Sequence, residues 1–290
     1  MSGSVDHVLL TRFNLPSVGV ESIIRAREGW LRDRVALFER YCLPSVRGQT
    51  NQQFHWLVYL DPESPAWLKD RIARLSADGT FTPLFRTSVS RKELVSDVHS
   101  VSGAHRSELL TTNLDNDDAL ANNFVERLQG ADPPDEATAI YLCDGLLKSG
   151  NRVFRRTDRR NAFCSVREPW EDPVTCWADW HNLLGERMAV LEVEGEPAWL
   201  QVIHDFNVSN RVRGRRVPPE PYRQAFGGLL DDVVALRPLE VVADVMVAGP
   251  RRHLRESGRV VLKRLVMTAV GKEGLDRLKL IRASRSASRG

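Results

Sequence analysis

The sequence lacks an apolar run long enough to cross a bilayer, which takes roughly 20 residues. Residues 1–16 also lack the basic segment and long apolar run of a secretory signal peptide. Cysteine is scarce: the four cysteines, at positions 42, 143, 164 and 176, form no CxxC pair, which indicates neither a zinc site nor a disulfide framework. We therefore expect a cytoplasmic protein whose thiols are reduced and mostly buried.

Charge is distributed unevenly along the chain. Residues 251–290 hold twelve lysines and arginines and three acidic residues, a net charge of +9, whereas the whole chain carries +3, so the rest carries −6. A basic helical extension of this kind favours either contact with an anionic membrane, at the inner face of the plasma membrane, or packing against the main domain. The sequence leaves both open. It contains no recognisable nucleic-acid-binding module, so we expect no nucleic acid partner.

Hydrophobic patterning in the first third of the chain predicts alternating strands and helices. The predicted elements are a strand His7–Phe13, a helix Trp30–Cys42 ended by Pro44, a strand Phe54–Asp61, a helix over 64–76 and a strand Thr80–Phe85. This β-α-β-α-β order is typical of an α/β fold with a mostly parallel sheet.

The remaining pattern predicts a larger domain over 1–222 and a helical basic extension over 223–290. Its predicted elements are a strand Leu109–Leu114, a helix Ala119–Leu128, short strands over 138–166 with turns at Asp144-Gly145 and Gly150-Asn151, a helical stretch around Trp170, Trp177 and Trp180, and a strand pair Ala189–Val193 and Ala198–Ile203.

Three aspartates, Asp115, Asp117 and Asp118, directly follow the predicted strand Leu109–Leu114. Ligands of open parallel sheets collect at the carboxyl ends of strands, and neighbouring carboxylates repel each other unless a cation neutralises them. Hard cations such as Mn²⁺ or Mg²⁺ prefer oxygen ligands and share them with phosphates. The sequence therefore predicts a metal and diphosphate site at this turn.

A competing interpretation is that Asp117 or Asp118 caps the helix predicted to begin at Ala119. Capping explains one aspartate well but not three. An EF-hand loop is excluded because the sixth position of such a loop has no glycine here.

Several segments together resemble the rhamnosyltransferase family, a GT-A-like group of glycosyltransferases. The segment Thr111–Leu120 is similar to the metal-binding segment of that family. The other matching segments, in order, are Leu9–Asn14, Pro44–Val46 with Gln49-Thr50, Phe54–Asp61, and Trp199–His204 with Asn207 and Asn210. Asn113 departs from the pattern, which has a basic residue at this position.

The resemblance implies a GT-A-like, Rossmann-like mixed sheet, a nucleotide-sugar donor, and roles for individual residues. Asp115, Asp117 and His204 are the implied metal ligands, with Asp118 in support; Thr11, Arg12, Asn14, Asp61, Arg106 and Asp115 are the implied nucleotide-binding residues. His204 alone is also compatible with a histidine that closes a strand end, and Arg106 with a solvated arginine. The expected cofactor is Mn²⁺ or Mg²⁺.

Transfer with inversion requires a carboxylate that deprotonates the acceptor hydroxyl. Glu168 stands where such enzymes place this residue, and Asp179 is a second candidate. Glu168 is equally compatible with an ion pair to Arg167 or Arg160. His181 and the nearby tryptophans are candidates for an acceptor pocket.

The predicted function is metal-dependent transfer of a sugar to an unknown acceptor, such as a cell-wall or lipid-linked glycan. Two alternatives use the same features. The first is a metal-dependent phosphohydrolase or nucleotidyltransferase, and the second is a non-catalytic nucleotide-binding protein with the same fold. The donor sugar, the nucleotide and the acceptor depend on pocket shape and stay open.

Overall fold

The computed structural model describes residues 5–16, 29–134, 136–204 and 212–235. The strands are β1 Val5–Arg12, β2 His55–Leu60, β3 Thr82–Phe85, β4 Glu108–Asn113, β5 Ala119–Leu120, β6 Thr138–Leu142, β7 Asp144–Ser149, β8 Arg152–Thr157, β9 Ser165–Pro169, β10 Ala189–Val193, β11 Trp199–Ile203 and β12 Arg215–Arg216. The helices are α1 Trp30–Leu37, a π turn Phe38–Cys42, α2 Leu43–Arg47, α3 Ala66–Leu75, α4 Arg91–Ser102, α5 Phe124–Gln129 and α6 Arg223–Phe226. Short 3₁₀ turns cover Leu184–Glu186, Glu220–Tyr222 and Gly227–Leu230.

Seven strands form the main sheet in the order β10-β6-β9-β4-β1-β2-β3. All neighbours in it are parallel except β9, which runs antiparallel to both β4 and β6. The predicted α/β class with a mostly parallel sheet flanked by helices is confirmed. The chain leaves β1 towards β2 and β3 on one side and returns to β4 on the other, which creates a topological switch point at the carboxyl ends of β1 and β4.

Five strands form a second sheet in the order β12-β8-β7-β11-β5. Its strands β7 and β11 are parallel, and its other neighbours are antiparallel. The largest core cluster contains side chains of both sheets, including Leu9 and Trp56 from the first and Leu147 and Trp199 from the second. The two sheets therefore share one hydrophobic core.

The apolar runs of the central strands have a direct physical cause. In β1 every residue except Arg12 is buried, and in β2 every residue except His55 is buried. A parallel strand covered on both faces exposes neither side to water, so it reads as a continuous hydrophobic run. This is why β1 and β2 are visible in the sequence to within two residues of their ends.

The helix that begins at Trp30 does not stop before Pro44, as the sequence predicts, but continues to Arg47. The Leu43 amide donates to the carbonyl of Phe38, five residues back, so the turn is a π turn. This wider turn shifts the hydrogen-bond ladder just before the proline, and Pro44 then occupies the first turn of α2, where an amide hydrogen is not required.

The helix predicted to begin at Ala119 is also absent at that point. Ala119 and Leu120 form the short strand β5, which pairs with Leu200 and Trp199 of β11, and the helix begins only at Phe124. Strand β11, about 80 residues later in the sequence, supplies the backbone hydrogen bonds that make Ala119 and Leu120 a strand. The helix and strand propensities of residues 119–128 do not reveal this distant partner. Asp117 and Asp118 therefore do not cap a helix, which removes the competing interpretation of the acidic turn.

Three smaller predictions fail for similar reasons. Asp144-Gly145 is the start of β7 rather than a turn, whereas the turn at Gly150-Asn151 is confirmed. The predicted pair Ala189–Val193 and Ala198–Ile203 consists of real strands, but β10 belongs to the main sheet and β11 to the second. The stretch from Trp170 to Trp180 contains turns and bends and no helix.

Residues 212–235 are part of the folded unit. Phe226, Leu230 and Val233 are buried in the cluster that includes Leu146 and Leu200 of the second sheet. The boundary predicted after residue 222 therefore falls inside a packed segment. The predicted basic extension over 251–290 lies outside the described residues. None of the helices in the described part of the chain is long and apolar enough to cross a membrane.

Gly145 is expected to be intolerant of any side chain. It pairs in register with Trp199, and a Cβ atom at this position would lie 2.0 Å from Cδ2 of that indole ring. The ring cannot move aside easily because it stacks on Phe163 and donates its N–H to the Leu142 carbonyl. We expect Gly145→Ala to lower the free energy of unfolding by about 1–3 kcal/mol, measured by urea denaturation.

Ser149→Ala on the same strand is the matched control, and it should change stability by less than about 0.5 kcal/mol. Equal stability of the Gly145→Ala protein and the wild type would contradict this account of the packing between β7 and β11.

Candidate active site

A cavity of about 630 Å³ opens at the switch point, between the carboxyl ends of β1 and β4 and the second sheet. Most of the residues that line it are polar or charged. They are Arg12, Asn113, Asp115, Arg156, Asp158, Ala162, Cys164, Cys176, Trp177, Asp179, Trp180, His181, Gln201 and Arg213. The position agrees with the general rule for open α/β sheets. The predicted nucleotide-binding residues that reach it are Arg12 and Asp115, and the predicted acceptor-side residues that reach it are Trp177, Asp179, Trp180 and His181.

The acidic turn after β4 is fixed from below by Thr11. The Thr11 hydroxyl donates to the carbonyl of Leu114 at 2.7 Å and accepts the indole N–H of Trp56 at 2.9 Å. Thr11 is completely buried and lies beneath the cavity rather than in its wall. The structure thus gives Thr11 a positioning contact with the turn, although the sequence assigned it to the nucleotide pocket.

Asn116 and Arg34 hold the middle of the turn. The side-chain amide of Asn116 donates to the Phe13 carbonyl at 2.5 Å, and its oxygen accepts from Arg34 at 3.1 Å. The same guanidinium lies 2.6 Å from Asp117 Oδ2, in a pair that is largely buried. Helix α1 therefore supplies a positive charge that the sequence did not assign to the site.

Asp117 and His204, two predicted metal ligands, are in direct contact. His204 Nε2 lies 2.7 Å from Asp117 Oδ2, although 87 residues separate them in sequence. Burial by itself would raise the pKa of Asp117, but the hydrogen bond from His204 and the charge of Arg34 outweigh it and hold this pKa below its usual value. Asp117 is therefore a buried, ionised carboxylate.

Asp115 is the member of the turn that faces the cavity. The Asp115 side chain is exposed to the cavity, but desolvation by the surrounding protein and the negative charge of Asp117 raise its pKa to about 6. Its Oδ1 accepts from the Asn113 side chain at 3.4 Å, which is a long and weak contact. This carboxylate has the environment of a group that would gain from a cationic partner.

Asp118 points away from the cavity and joins the turn to β11. Its Oδ1 accepts the backbone amide of Val202 at 2.8 Å, while its buried Oδ2 has no hydrogen-bond partner among the described residues. Burial, followed by the charges of Asp117 and Asp115, raises the pKa of Asp118 well above its usual value. The supporting role predicted for Asp118 thus consists of anchoring the turn to the second sheet.

The donor set fits a hard divalent cation that is shared with a phosphate. Within the described ranges, no three His, Cys, Asp or Glu side chains converge as a complete metal site. Mn²⁺ and Mg²⁺ commonly take one or two carboxylates from the protein and the remaining ligands from phosphate and water. The buried carboxylate of Asp117, the adjacent imidazole of His204 and the exposed carboxylate of Asp115 supply that kind of partial set.

Arg12, at the end of β1, reaches the cavity and stacks on Trp177. Its guanidinium carbon lies 4.1 Å from the centre of the indole ring, whose N–H donates to Asn113 Oδ1 at 2.8 Å. The Asn113 amide also donates to the Ala162 carbonyl at 2.9 Å. Asn113, the position that departs from the family pattern, therefore connects the acidic turn to the segment that carries Trp177.

Asn14 and Asp61 meet beside the end of β1 but do not line the cavity. The Asn14 oxygen accepts the Asp61 backbone amide at 3.1 Å, and its amide donates to Ser64 at 2.9 Å. The Asp61 carboxylate accepts the backbone amide of Glu63 at 2.8 Å. They brace the turn after β2, and their predicted nucleotide contacts stay predictions.

Arg106 is not brought to the site. It precedes β4, whereas the acidic turn follows that strand, so the two lie at opposite edges of the main sheet. The Arg106 backbone amide donates to Asp6 Oδ2 at 2.9 Å, and the residue is exposed. The direction of β4 therefore favours the solvated arginine over a contact with phosphate.

Comparison with known families decides which protein group this arrangement represents. The family described as "Putative rhamnosyl transferase" matches residues 6–216, which is more than two thirds of the chain. The chain belongs to this family of glycosyltransferases. No curated protein matches it in sequence.

Similar solved structures match the chain at low sequence identity. Staphylococcus aureus TarS is 9% identical with a TM-score of 0.39, and the match covers 69% of this chain and 37% of TarS. TarS residues 1–349 in complex with UDP match at 9% identity and a TM-score of 0.36, covering 82% of this chain and 68% of that one. A protein from Desulfovibrio desulfuricans G20, called a putative nucleotide-diphospho-sugar transferase, matches at 10% identity and a TM-score of 0.34, covering 69% and 83%.

Glu168, the predicted base of this family member, lies away from the cavity. Strand β9 runs antiparallel to β4 and pairs Glu168 with Leu109, whereas the pair near the site is Ser165 with Thr112. The two pairs are three residues apart, which corresponds to about 10 Å along the strand. The Glu168 oxygens accept the backbone amides of Val174 and Thr175, both at 2.8 Å. Glu168 therefore holds the loop after β9 in place and does not face the site.

Several cavity residues carry no signal in the sequence. Arg156 and Asp158 come from β8 and the residue after it, Gln201 from β11, and Arg213 from the segment before β12. Each is an ordinary polar residue on or beside a strand of the second sheet. Only the packing of that sheet against the carboxyl ends of β1 and β4 reveals them.

Because Glu168 binds two backbone amides, its replacement should affect stability rather than donor binding. Glu168→Gln places an amide group against an amide donor in a site where the side chain is almost completely buried. We expect unfolding free energy to fall by about 1–3 kcal/mol, with nucleoside diphosphate affinity unchanged in calorimetry. The exposed neighbour Glu171→Gln is the control, and loss of turnover in a stable Glu168→Gln protein would restore Glu168 as the base.

Proposed function

We propose that this glycosyltransferase moves a sugar from a nucleotide-sugar donor to an acceptor hydroxyl and depends on Mn²⁺ or Mg²⁺. The observation that carries the proposal is the acidic turn, in which Asp115 faces the cavity while Asp117 contacts His204 beside it. Family membership supplies the reaction class. The turn supplies a place for the charge of a diphosphate at the switch point of the main sheet.

Asp115, Asp117 and His204 would hold the metal ion. When bound there, a divalent cation would supply positive charge to stabilise the leaving diphosphate. Arg34 keeps Asp117 ionised and oriented from the opposite side, and Thr11 fixes the turn that carries both aspartates. Arg12 reaches the same cavity and offers a second positive charge for the diphosphate.

The acceptor hydroxyl requires a base on the cavity wall, and His181 meets this requirement best. Asp179 also lines the cavity, but its oxygens already accept the Trp180 amide and the Arg187 side chain, both at 2.8 Å. The His181 imidazole has no hydrogen-bond partner in the described part of the chain. Burial lowers the pKa of His181, with partial opposition from Asp158, so that the neutral, proton-accepting form prevails near pH 7.

The alternatives are less well supported. A phosphohydrolase or nucleotidyltransferase shares the carboxylates but not the family match, and a non-catalytic protein would have no need for the buried carboxylate cluster. We also propose that the acceptor is a glycan or a lipid-linked glycan. The proposed membrane contact involves residues 251–290, which lie outside the described ranges.

The metal proposal predicts that Asp115→Asn and Asp117→Asn each weaken metal-dependent nucleotide binding by about 10–100-fold. The measurement is calorimetry with UDP, GDP and dTDP, each with and without Mn²⁺, on the full chain. Asp132→Asn, on an exposed loop, is the matched control and should bind like wild type. If both site variants keep the metal effect of the wild type, the metal is not held at this turn.

His181 as base predicts a distinctive pH profile for turnover. A base acts in its deprotonated form, so activity should fall as pH drops through the lowered pKa of His181, below its ordinary value of 6.5. His181→Gln should lower kcat by about 10²–10⁴-fold and remove that acidic limb, as followed by release of the nucleoside diphosphate. His105→Gln, at an exposed position, is the control. A variant with an unchanged profile would exclude His181.

A further inference from the structure

The cavity rim carries one strongly exposed aromatic side chain. Trp180 is 72% exposed, the largest exposure among the large hydrophobic residues that the structure describes. Within the described ranges no ring or guanidinium group stacks on its indole, although it lines the cavity wall. Because this indole lies on the wall of a cavity, a ligand bound in the cavity can cover its apolar surface.

The backbone presents this ring from a fixed turn. The Trp180 amide donates to Asp179 Oδ1 at 2.8 Å, and the Trp180 carbonyl accepts the Leu183 amide at 2.7 Å. Arg187 in turn holds Asp179 Oδ2 at 2.8 Å. The backbone that carries the indole is therefore held in place by hydrogen bonds. Less conformational entropy of this loop is then lost when a ligand binds.

The neighbouring tryptophan is not available for the same task. One face of Trp177 is covered by Arg12 at 4.1 Å, its ring lies 5.4 Å from that of Tyr59, and its N–H is bound to Asn113. Trp177 belongs to the cavity floor, whereas Trp180 stands at the rim. The two residues have similar positions in the sequence but different surroundings.

The rest of the wall indicates what kind of ligand Trp180 would meet. The same cavity is lined by hydrogen-bonding groups, among them Asp158, His181 and Gln201. A pyranose ring combines an apolar C–H face, which suits an indole surface, with hydroxyl groups that suit such partners. A fatty or purely apolar ligand would leave these polar groups desolvated without partners.

We propose that Trp180 is the platform of an acceptor subsite and that the acceptor is a carbohydrate whose pyranose ring stacks on this indole, beside His181. The proposal rests on the proposed function, because it places the stacked sugar as acceptor. The glycan that carries the acceptor hydroxyl would thus be recognised by ring stacking at the rim and by hydrogen bonds within the cavity.

The test is saturation-transfer NMR on the full chain with methyl α-L-rhamnopyranoside and methyl β-D-glucopyranoside, with and without a nucleoside diphosphate and Mn²⁺. Sorbitol, which has hydroxyls but no rigid ring face, is the comparison compound. We expect at least one pyranoside to bind wild type, Trp180→Ala to weaken it about tenfold or more, and Trp180→Phe to restore part of the loss. Phe85→Ala removes an exposed aromatic outside the cavity and should bind like wild type.

Two results would overturn the proposal: binding of neither pyranoside, or equal pyranoside binding by wild type and Trp180→Ala. Nucleotide affinity is measured in the same samples and should be equal in wild type and Trp180→Ala. Absence of nucleotide binding in wild type would contradict the proposed function instead. Pyranoside binding in the nucleotide-free samples tests the contact with Trp180 independently of nucleotide binding. Failure of the Trp180 proposal can therefore be distinguished from failure of the proposed function.

Discussion

The burial of adjacent carboxylates at one turn is the constraint on which the rest of this site depends. Asp117 and Asp118 are buried beside the exposed Asp115, and the three carboxylates repel one another. Because water screens the two buried groups poorly, they need partners from elsewhere in the chain. Arg34 and His204 converge on Asp117, and the amide of Val202 binds Asp118. Helix α1, the turn after β4 and strand β11 must therefore come together before the turn is stable, and Asp115 is left as the carboxylate that faces the cavity.

The two sheets divide the work of building the site. Strands β1 and β4 of the main sheet carry the acidic turn and the Thr11 contact beneath it. The second sheet closes the cavity with side chains from β8 and β11, and the loop after β9 adds the segment from Cys176 to His181. The cavity therefore combines residues of both sheets and of this loop, and neither sheet forms it alone.

Neighbouring residues of the loop after β9 have distinct structural tasks. Glu168 anchors its beginning through two backbone amides, Trp177 supports the cavity floor, and Asp179 braces the turn that presents Trp180. A carboxylate that is fully used in such bracing is a poor proton acceptor, because transfer would break hydrogen bonds in the loop itself. The imidazole of His181, which has no such task, is better suited to chemistry.

The sequence by itself determined the strands β1, β2 and β4, the acidic turn and the family, because continuous apolar runs and a cluster of charges are local signals. It also brought Asp117 and His204 forward as candidates, and the structure places them in contact. Only the tertiary structure decided that Ala119 begins a strand, that Glu168 lies away from the cavity and that Arg34 serves the turn. Each of these depends on a partner 50 or more residues distant, namely β11, β4 and Asp117, and pairing over such distances leaves no pattern in the local sequence.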